Sequence, residues 1–199
     1  MQHAHRFTRL SALALGITGA LALGQVHASG FQLKENSAKG LGSAFAGTAA
    51  KTDDASAVTN NPAAMARMSG TTVQVDVTAI DLNYQFEGTG TAANGTMPMT
   101  GGDGGNAGAV TPVPAMSVVH KFDNGVALGA MVSAPFGLKT EYDAGWKGRY
   151  HALESDVKII DLTLAASLEL SDSFSIGAGL VYEHADVTLS QAVDFGTVI

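Results

Sequence analysis

Three of the six histidines, His120, His151 and His184, and an adjacent carboxylate pair, Asp53-Asp54, are among the residues of this 199-residue chain whose types could support metal or acid–base chemistry. The histidines fall in three separate segments without metal-ligand spacing, so solvated or hydrogen-bonded imidazoles are the expectation. One aspartate pair without further oxygen ligands caps a helix start more often than it holds calcium. Gly40-Leu41-Gly42-Ser43-Ala44-Phe45 half-imitates a dinucleotide fingerprint, yet it follows no strand and lacks the third small residue at the required place. The glycine-rich run GGDGGNAG at 101–108 has no Gly-Lys-Ser/Thr and reads as a flexible surface loop. A hydrolase needs a serine and a histidine on neighbouring strands, and no such pair stands out. No catalytic residue, metal site or cofactor is expected.

The elements that could position any site begin behind a leader. Residues 1–9 carry Arg6 and Arg9 with no acid, and residues 10–23 form an apolar run of signal-peptide length. A bilayer span takes roughly twenty apolar residues, so this run is short for an anchor. Val26-His27-Ala28 offers the small residues a signal peptidase reads, which puts the cut after Ala28 and makes residues 1–28 the signal peptide. The remaining 171 residues suffice for one domain, and they carry 9 basic against 18 acidic side chains, which argues against nucleic acid. The chain has no cysteine, which excludes disulfides and thiolate metal sites. No long apolar run follows the leader, so a membrane form must be a barrel.

Alternation supports strands. Val73, Val75 and Val77 oppose Gln74, Asp76 and Thr78; the phase then switches at Ala79-Ile80, and Ile80, Leu82, Tyr84 and Phe86 alternate with polar residues. A two-residue apolar step of this kind predicts a β-bulge, here and again at Ile159-Ile160. Beyond the second step, Ile160, Leu162, Leu164, Ala166, Leu168 and Leu170 alternate with polar or small residues over a length close to the roughly 9–11 residues of a tilted membrane strand. Residues 174–182 and 126–134 repeat the pattern, and 113–122 shows it most weakly. The connections run long, short, long, short: 87–112, then Asp123-Asn124-Gly125, then 135–155, then Ser171-Asp172-Ser173. A soluble antiparallel sandwich gives the same alternation. The loop asymmetry, the leader and the aromatic pairs Tyr84/Phe86 and Phe174/Tyr182 favour an outer-membrane barrel.

Residues 29–70 are too small and Gly/Ala-rich for a domain of their own, and they carry a resemblance. Gly30-Phe31-Gln32-Leu33, Gly40-Leu41-Gly42, Ala44-Phe45-Ala46-Gly47, Asp53-Asp54-Ala55 and Asn61-Pro62-Ala63 resemble the N-terminal plug of FadL/TodX-type outer-membrane transporters of long-chain fatty acids and aromatic hydrocarbons. Ala134-Pro135-Phe136-Gly137, Trp146-Lys147-Gly148-Arg149-Tyr150 and Ser175 to Leu180 extend the resemblance in order along the chain. It implies an all-β fold: a monomeric, fourteen-stranded antiparallel transmembrane barrel whose lumen is closed by a partly helical hatch. By it, 29–70 is the hatch and 71–199 the first part of the barrel, about five strands, too few to close such a wall. The end of the chain, Thr197-Val198-Ile199, lacks the terminal aromatic that such barrels present, so an N-terminal fragment is the expectation.

The resemblance also implies a mechanism. A hydrophobic solute enters from outside, and lipopolysaccharide and outer-membrane lipid are the surroundings. It then leaves sideways through a gap at a kink in the third strand. Pro135, Phe136 and Gly137 mark that kink; alternatively Pro135 only terminates the strand. Asn61, Pro62 and Ala63 form the hatch motif beside the gap, or an Asn-capped turn after a short helix at 53–59. Phe31 reaches the apolar ligand pocket, or anchors the plug. The alternative function is a complete small outer-membrane barrel with a binding, structural or hydrolase role.

Overall fold

The computed structural model describes residues 32–92 and 97–194. The leader, Phe31 and residues 195–199 lie outside the described residues. Five long strands form one antiparallel sheet in the order β1-β4-β5-β6-β7: β1 (Thr71–Asp81), β4 (Val110–Lys121), β5 (Val126–Glu141), β6 (Glu154–Ser171) and β7 (Phe174–Ser190). A two-residue ladder, β2 (Thr91–Ala92) with β3 (Met97–Pro98), sits in the first long connection. The tight β4–β5 turn places Gly125 at φ 87°, where a side chain would be strained, and Asn124 Oδ1 accepts the Val126 amide.

The alternation is realised with an inverted polarity. One sheet face presents Val73, Val75, Val77, Leu128, Val132, Leu162, Leu164 and Leu180 to the surroundings, Leu180 with 81% of its surface exposed. The other face presents small and polar side chains, among them Ser117, Ala127, Ser133, Thr163, Ala165 and Ser167, and these are buried. A soluble sheet hides its apolar face; a continuous exposed apolar face of this size needs a lipid neighbour. That arrangement removes the sandwich reading for the described residues.

What buries the polar face is the N-terminal segment 32–70. It contains α1 (Ala38–Gly42), α2 (Ala57–Asn60) and the 3₁₀ helix Pro62–Arg67. Ser37 caps α1, its Oγ accepting the Gly40 amide at 2.8 Å. The helix stops where Ala44 and Phe45 turn left-handed, at φ 49° and 58°, and the Phe45 amide returns to the Gly40 carbonyl. Val58, Met65 and Met68 pack with Val119, Ala127, Met131 and Ala165 of the sheet into one core. Full burial of side chains such as Met65 and Val58 stabilises by about 1.5–3 kcal/mol each. Two sheet glycines admit this approach. A Cβ on Gly129 would meet Met65 and Val58 at 2.6 Å, and one on Gly177 would meet the Ala63 backbone at 2.4 Å.

Several expectations need correction. β1 pairs with β4 without a break from Thr71↔His120 to Asp81↔Val110, so Ala79-Ile80 is no bulge. Ile80 takes the inner face, because the ladder and the inward contacts of Gln74 and Asp76 fix the register regardless of one late apolar step. β6 likewise passes Ile159-Ile160 in unbroken register with β7. The irregularity belongs to the strand opposite, where Ala134 and Pro135 of β5 together face Ile160. Pro135 does not end its strand, since β5 continues to Glu141 and the second long connection shortens to 142–153. The helix expected at 53–59 is α2, Ala57–Asn60.

Candidate functional site: the β4–β5 seam

The site grows from three prolines. Along β4 the backbone alternates its hydrogen-bonding side: the Lys121 amide donates to Gly70 beside β1, and the Phe122 amide donates to Val126 of β5. Counting back by twos places Pro112 and Pro114 on the β5 side, where each leaves a rung without a donor. The β4–β5 ladder accordingly ends at Ala115↔Ser133. Immediately beyond, β5 inserts Ala134-Pro135 and then resumes pairing with β6, Phe136↔Ile159 and Gly137↔Lys158, until the Glu141 amide donates to the Ala107 carbonyl across the far end of the gap. The wall is therefore unzipped between β4 and β5 from Pro114 and Ala134 onward.

The N-terminal segment lies against this opening on the polar face of the sheet. Leu33 N–H donates to the Pro135 carbonyl at 2.7 Å. Between them lies a cavity of about 470 Å³, lined by Leu33, Asn36, Phe45, Asn60, Pro135 and Asp161 among others. The left-handed Ala44-Phe45 pair, uncommon for non-glycine residues, forms part of this lining.

A buried polar latch holds the segment to β1. Asp54 accepts from Ser37 Oγ at 2.7 Å, from the Ser56 amide at 2.9 Å and from Gln74 Nε2 at 3.1 Å. Gln74 Oε1 accepts the Ala55 amide, and Asp76 Oδ1 accepts the Ala38 amide. Burial opposes ionisation of Asp54, but the hydrogen bonds from Ser37, Ser56 and Gln74 outweigh it and hold its carboxyl below the usual carboxylate range. At the short-turn end Glu169 bridges two cations, Arg67 of the segment at 3.2 Å and Lys121 of β4 at 2.7 Å. Among the described residues the segment is thus tied at β1, at β7 through Ser175 and at the short turns, and by one backbone bond to the bulge at the seam.

The residues singled out from sequence are partly assembled here. Pro135 lies at the seam and is buried, with its carbonyl turned to Leu33. Phe136 and Gly137 re-enter the β6 ladder, and a Cβ on Gly137 would touch nothing within 4 Å, so Gly137 does not break the pairing. Asn61 joins two helices: its amide donates to the Ala57 carbonyl of α2, its Oδ1 caps the 3₁₀ helix by accepting the Ala63 amide, and its Nδ2 donates to the Ala49 carbonyl at 2.6 Å. Pro62 opens that helix, and Ala63 rests on β7, its carbonyl accepting Ser175 Oγ at 2.9 Å. The motif therefore braces the segment one residue beyond Asn60, which lines the cavity. Phe31 lies outside the described residues. Pro112, Pro114, Leu33 and Gln74 were not anticipated; two prolines at alternate positions of one strand were the available signal. Of the aspartate pair, neither caps the helix start, whose N-cap is Ser56 without a side-chain bond; Asp54 accepts the Ser56 amide in a turn before it, and Asp53 pairs with Lys39 at the surface.

The long connections are clasped above the sheet. Trp146, 7% exposed, stacks on Tyr142 at 4.0 Å between ring centroids and meets Phe86 edge-on at 5.6 Å. Lys147 reaches Asp103 at 2.7 Å, and Arg149 donates to the Thr100 carbonyl at 2.7 Å. The Trp146–Tyr150 motif is a structural tie between loops.

An antiparallel sheet with an outward apolar face and an N-terminal segment packed on its polar face defines the wall of an outer-membrane β-barrel protein. Comparison with known proteins agrees: residues 19–198 match the family described as outer membrane protein transport protein (OMPP1/FadL/TodX). The chain belongs to that family. It is 36% identical over 179 residues to outer membrane protein P1 of Haemophilus influenzae, covering 84% of this chain and 39% of that protein. To the long-chain fatty acid transport protein of Escherichia coli O6:H1 it is 30% identical over 180 residues, covering 87% and 38%. Its structure resembles a Pseudomonas aeruginosa FadL homologue with a TM-score of 0.77 and 32% identity, over 82% of this chain and 39% of that one. The chain spans about two-fifths of the length of these relatives.

Proposed function

We propose that this chain supplies the hatch and the first wall strands of a monomeric outer-membrane transporter for long-chain fatty acids or similar hydrophobic compounds. Residues 1–28 are its export signal and 29–70 its hatch, with Phe31 reaching towards the ligand. The observation that carries the reading is the seam: a wall lacking two ladder donors at Pro112 and Pro114, bulged at Pro135, and covered by one hydrogen bond from Leu33. An apolar solute gains nothing by entering aqueous periplasm, and a seam opening onto the apolar outer face lets it pass sideways into lipid. The anchors at Asp54–Gln74 and Arg67–Glu169 keep the hatch in place while the seam side yields. The assignment to lipid uptake draws on the relatives named as long-chain fatty acid transport proteins, none of which is named as an enzyme in the comparison above.

The test is uptake of radiolabelled oleate by cells producing the protein. Asn61→Ala, which frees the turn at Ala49, and Pro135→Ala, which restores a backbone donor at the bulge, each lower the initial rate. Unaltered uptake in both variants removes the seam route.

A further inference from the structure

The geometry points to an uncharged, hydrogen-bond-donating head group, the protonated acid or an alcohol, as the form of cargo that the seam cavity accepts. This deepens the transport reading above and rests on it.

The cavity between Leu33, Asn36, Phe45 and Pro135 carries two buried acceptor oxygens that no donor meets among the described residues. Asp161, on the inner face of β6, pairs in register with Ser133 beside the bulge. Its Oδ1 is buried and has no donor among the described residues, and the same holds for Asn36 Oδ1 on the opposite wall. Asn36 spends its own donor on Thr59 Oγ1 at 3.3 Å. The titratable groups around Asp161 are Glu183, its register partner on β7, and Lys34 on the N-terminal segment; β5 presents none between 133 and 137. Lys34 is exposed at the rim.

A carboxylate entering this space meets acceptors and negative charge and leaves water behind, which disfavours its ionised form twice over. A protonated carboxyl or a hydroxyl brings a donor to Asp161 Oδ1 and Asn36 Oδ1 and carries no charge to desolvate. Passage from the cavity into lipid then needs no later proton step. The proton is taken up before entry, from water at the mouth, and is released where the acid next meets water.

Binding to the detergent-solubilised protein tests this with three sixteen-carbon probes, hexadecanol, hexadecanoic acid and hexadecylamine, measured by displacement of a fluorescent fatty alcohol at pH 5.5, 7 and 8. At pH 8 hexadecanol binds at least about tenfold tighter than hexadecanoic acid, a difference set by the charge. The acid gains most of that factor by pH 5.5, and the alcohol stays constant. In Asp161→Asn the acid's pH dependence shrinks to about threefold or less. Tighter binding of the acid than the alcohol at pH 8, with Lys34→Ala abolishing it, overturns the inference and assigns the head group to Lys34. Tighter binding of the amine than the alcohol overturns it in the other direction. Failure of all three probes to bind overturns the transport reading itself, and the inference with it.

Discussion

The Leu33 amide and the Pro135 carbonyl lie 2.7 Å apart, and this one backbone hydrogen bond joins the N-terminal segment to the bulge of β5. Elsewhere the same segment is held by side-chain networks that include charged carboxylates. A neutral backbone bond contributes about 0.5–1.5 kcal/mol, while bonds to charged groups contribute about 1.5–3 kcal/mol. On this comparison the seam is the side of the segment that should open first.

Donors returned to β4 should close the wall. Pro112→Val with Pro114→Val restores two ladder amides facing β5, each worth about 1 kcal/mol, which lowers the open population roughly thirtyfold. Oleate uptake is expected to fall several-fold at normal protein levels. Uptake equal to that of the parent would show that the prolines do not hold the seam apart.

Glycines 177, 129 and 137 should rank in that order when changed to alanine. At Gly177 the new methyl meets the Ala63 backbone, which cannot turn aside; at Gly129 it meets side-chain atoms of Met65 and Val58; at Gly137 it meets nothing within 4 Å. Overpacking costs about 1–3 kcal/mol, so Gly177→Ala should loosen the segment and raise leakage of small hydrophilic antibiotics. Gly137→Ala should leave both stability and leakage unchanged, read as thermal midpoint and drug sensitivity.

Asp54 sets a pH dependence. Its carboxyl is held below the ordinary range in the folded protein, so its contribution is fully present above the unfolded-state pKa and is lost as pH falls through the folded value. Asp54→Asn should destabilise the segment by about 1–3 kcal/mol at pH 7, and the gap from the parent should narrow on acidification. Amide hydrogen exchange of residues 37–56 across an acid titration reads both. A gap that widens on acidification would contradict the latch.

At the short-turn end, Glu169→Gln should cost more than Arg67→Ala, since it leaves Lys121, itself largely buried, without its partner. A double-mutant cycle on thermal midpoints checks this. Full additivity of Arg67→Ala and Glu169→Gln would show that the pair does not interact.

The strands were legible because period-two alternation survives any partner: Ile160 to Leu170 reads the same in the sequence as on β6. The bulge was misplaced because a two-residue apolar step shows only that side chains change phase. Which strand absorbs the extra residue is decided across the ladder, and Pro135, lacking an amide, absorbs it opposite Ile160. The kink itself was legible in Pro135. Its extent was not, since the side to which Pro112 and Pro114 turn their nitrogens depends on the register of β4 against β1. The latch between Asp54, Ser37 and Gln74 joins residues up to 37 positions apart, and no spacing rule reaches that far.

The route of the cargo is the central claim, and photolabelling of the unmodified protein tests it most directly. Cells producing the protein take up a palmitate analogue with a diazirine on its chain, are irradiated, and the labelled peptides are mapped by mass spectrometry. Sideways passage predicts label on Pro112, Pro114 and residues 134–136, on both lips of the seam. Label confined to Arg67, Lys121 and Glu169 at the short-turn end, with none at the seam, would mean that the cargo leaves along the barrel axis.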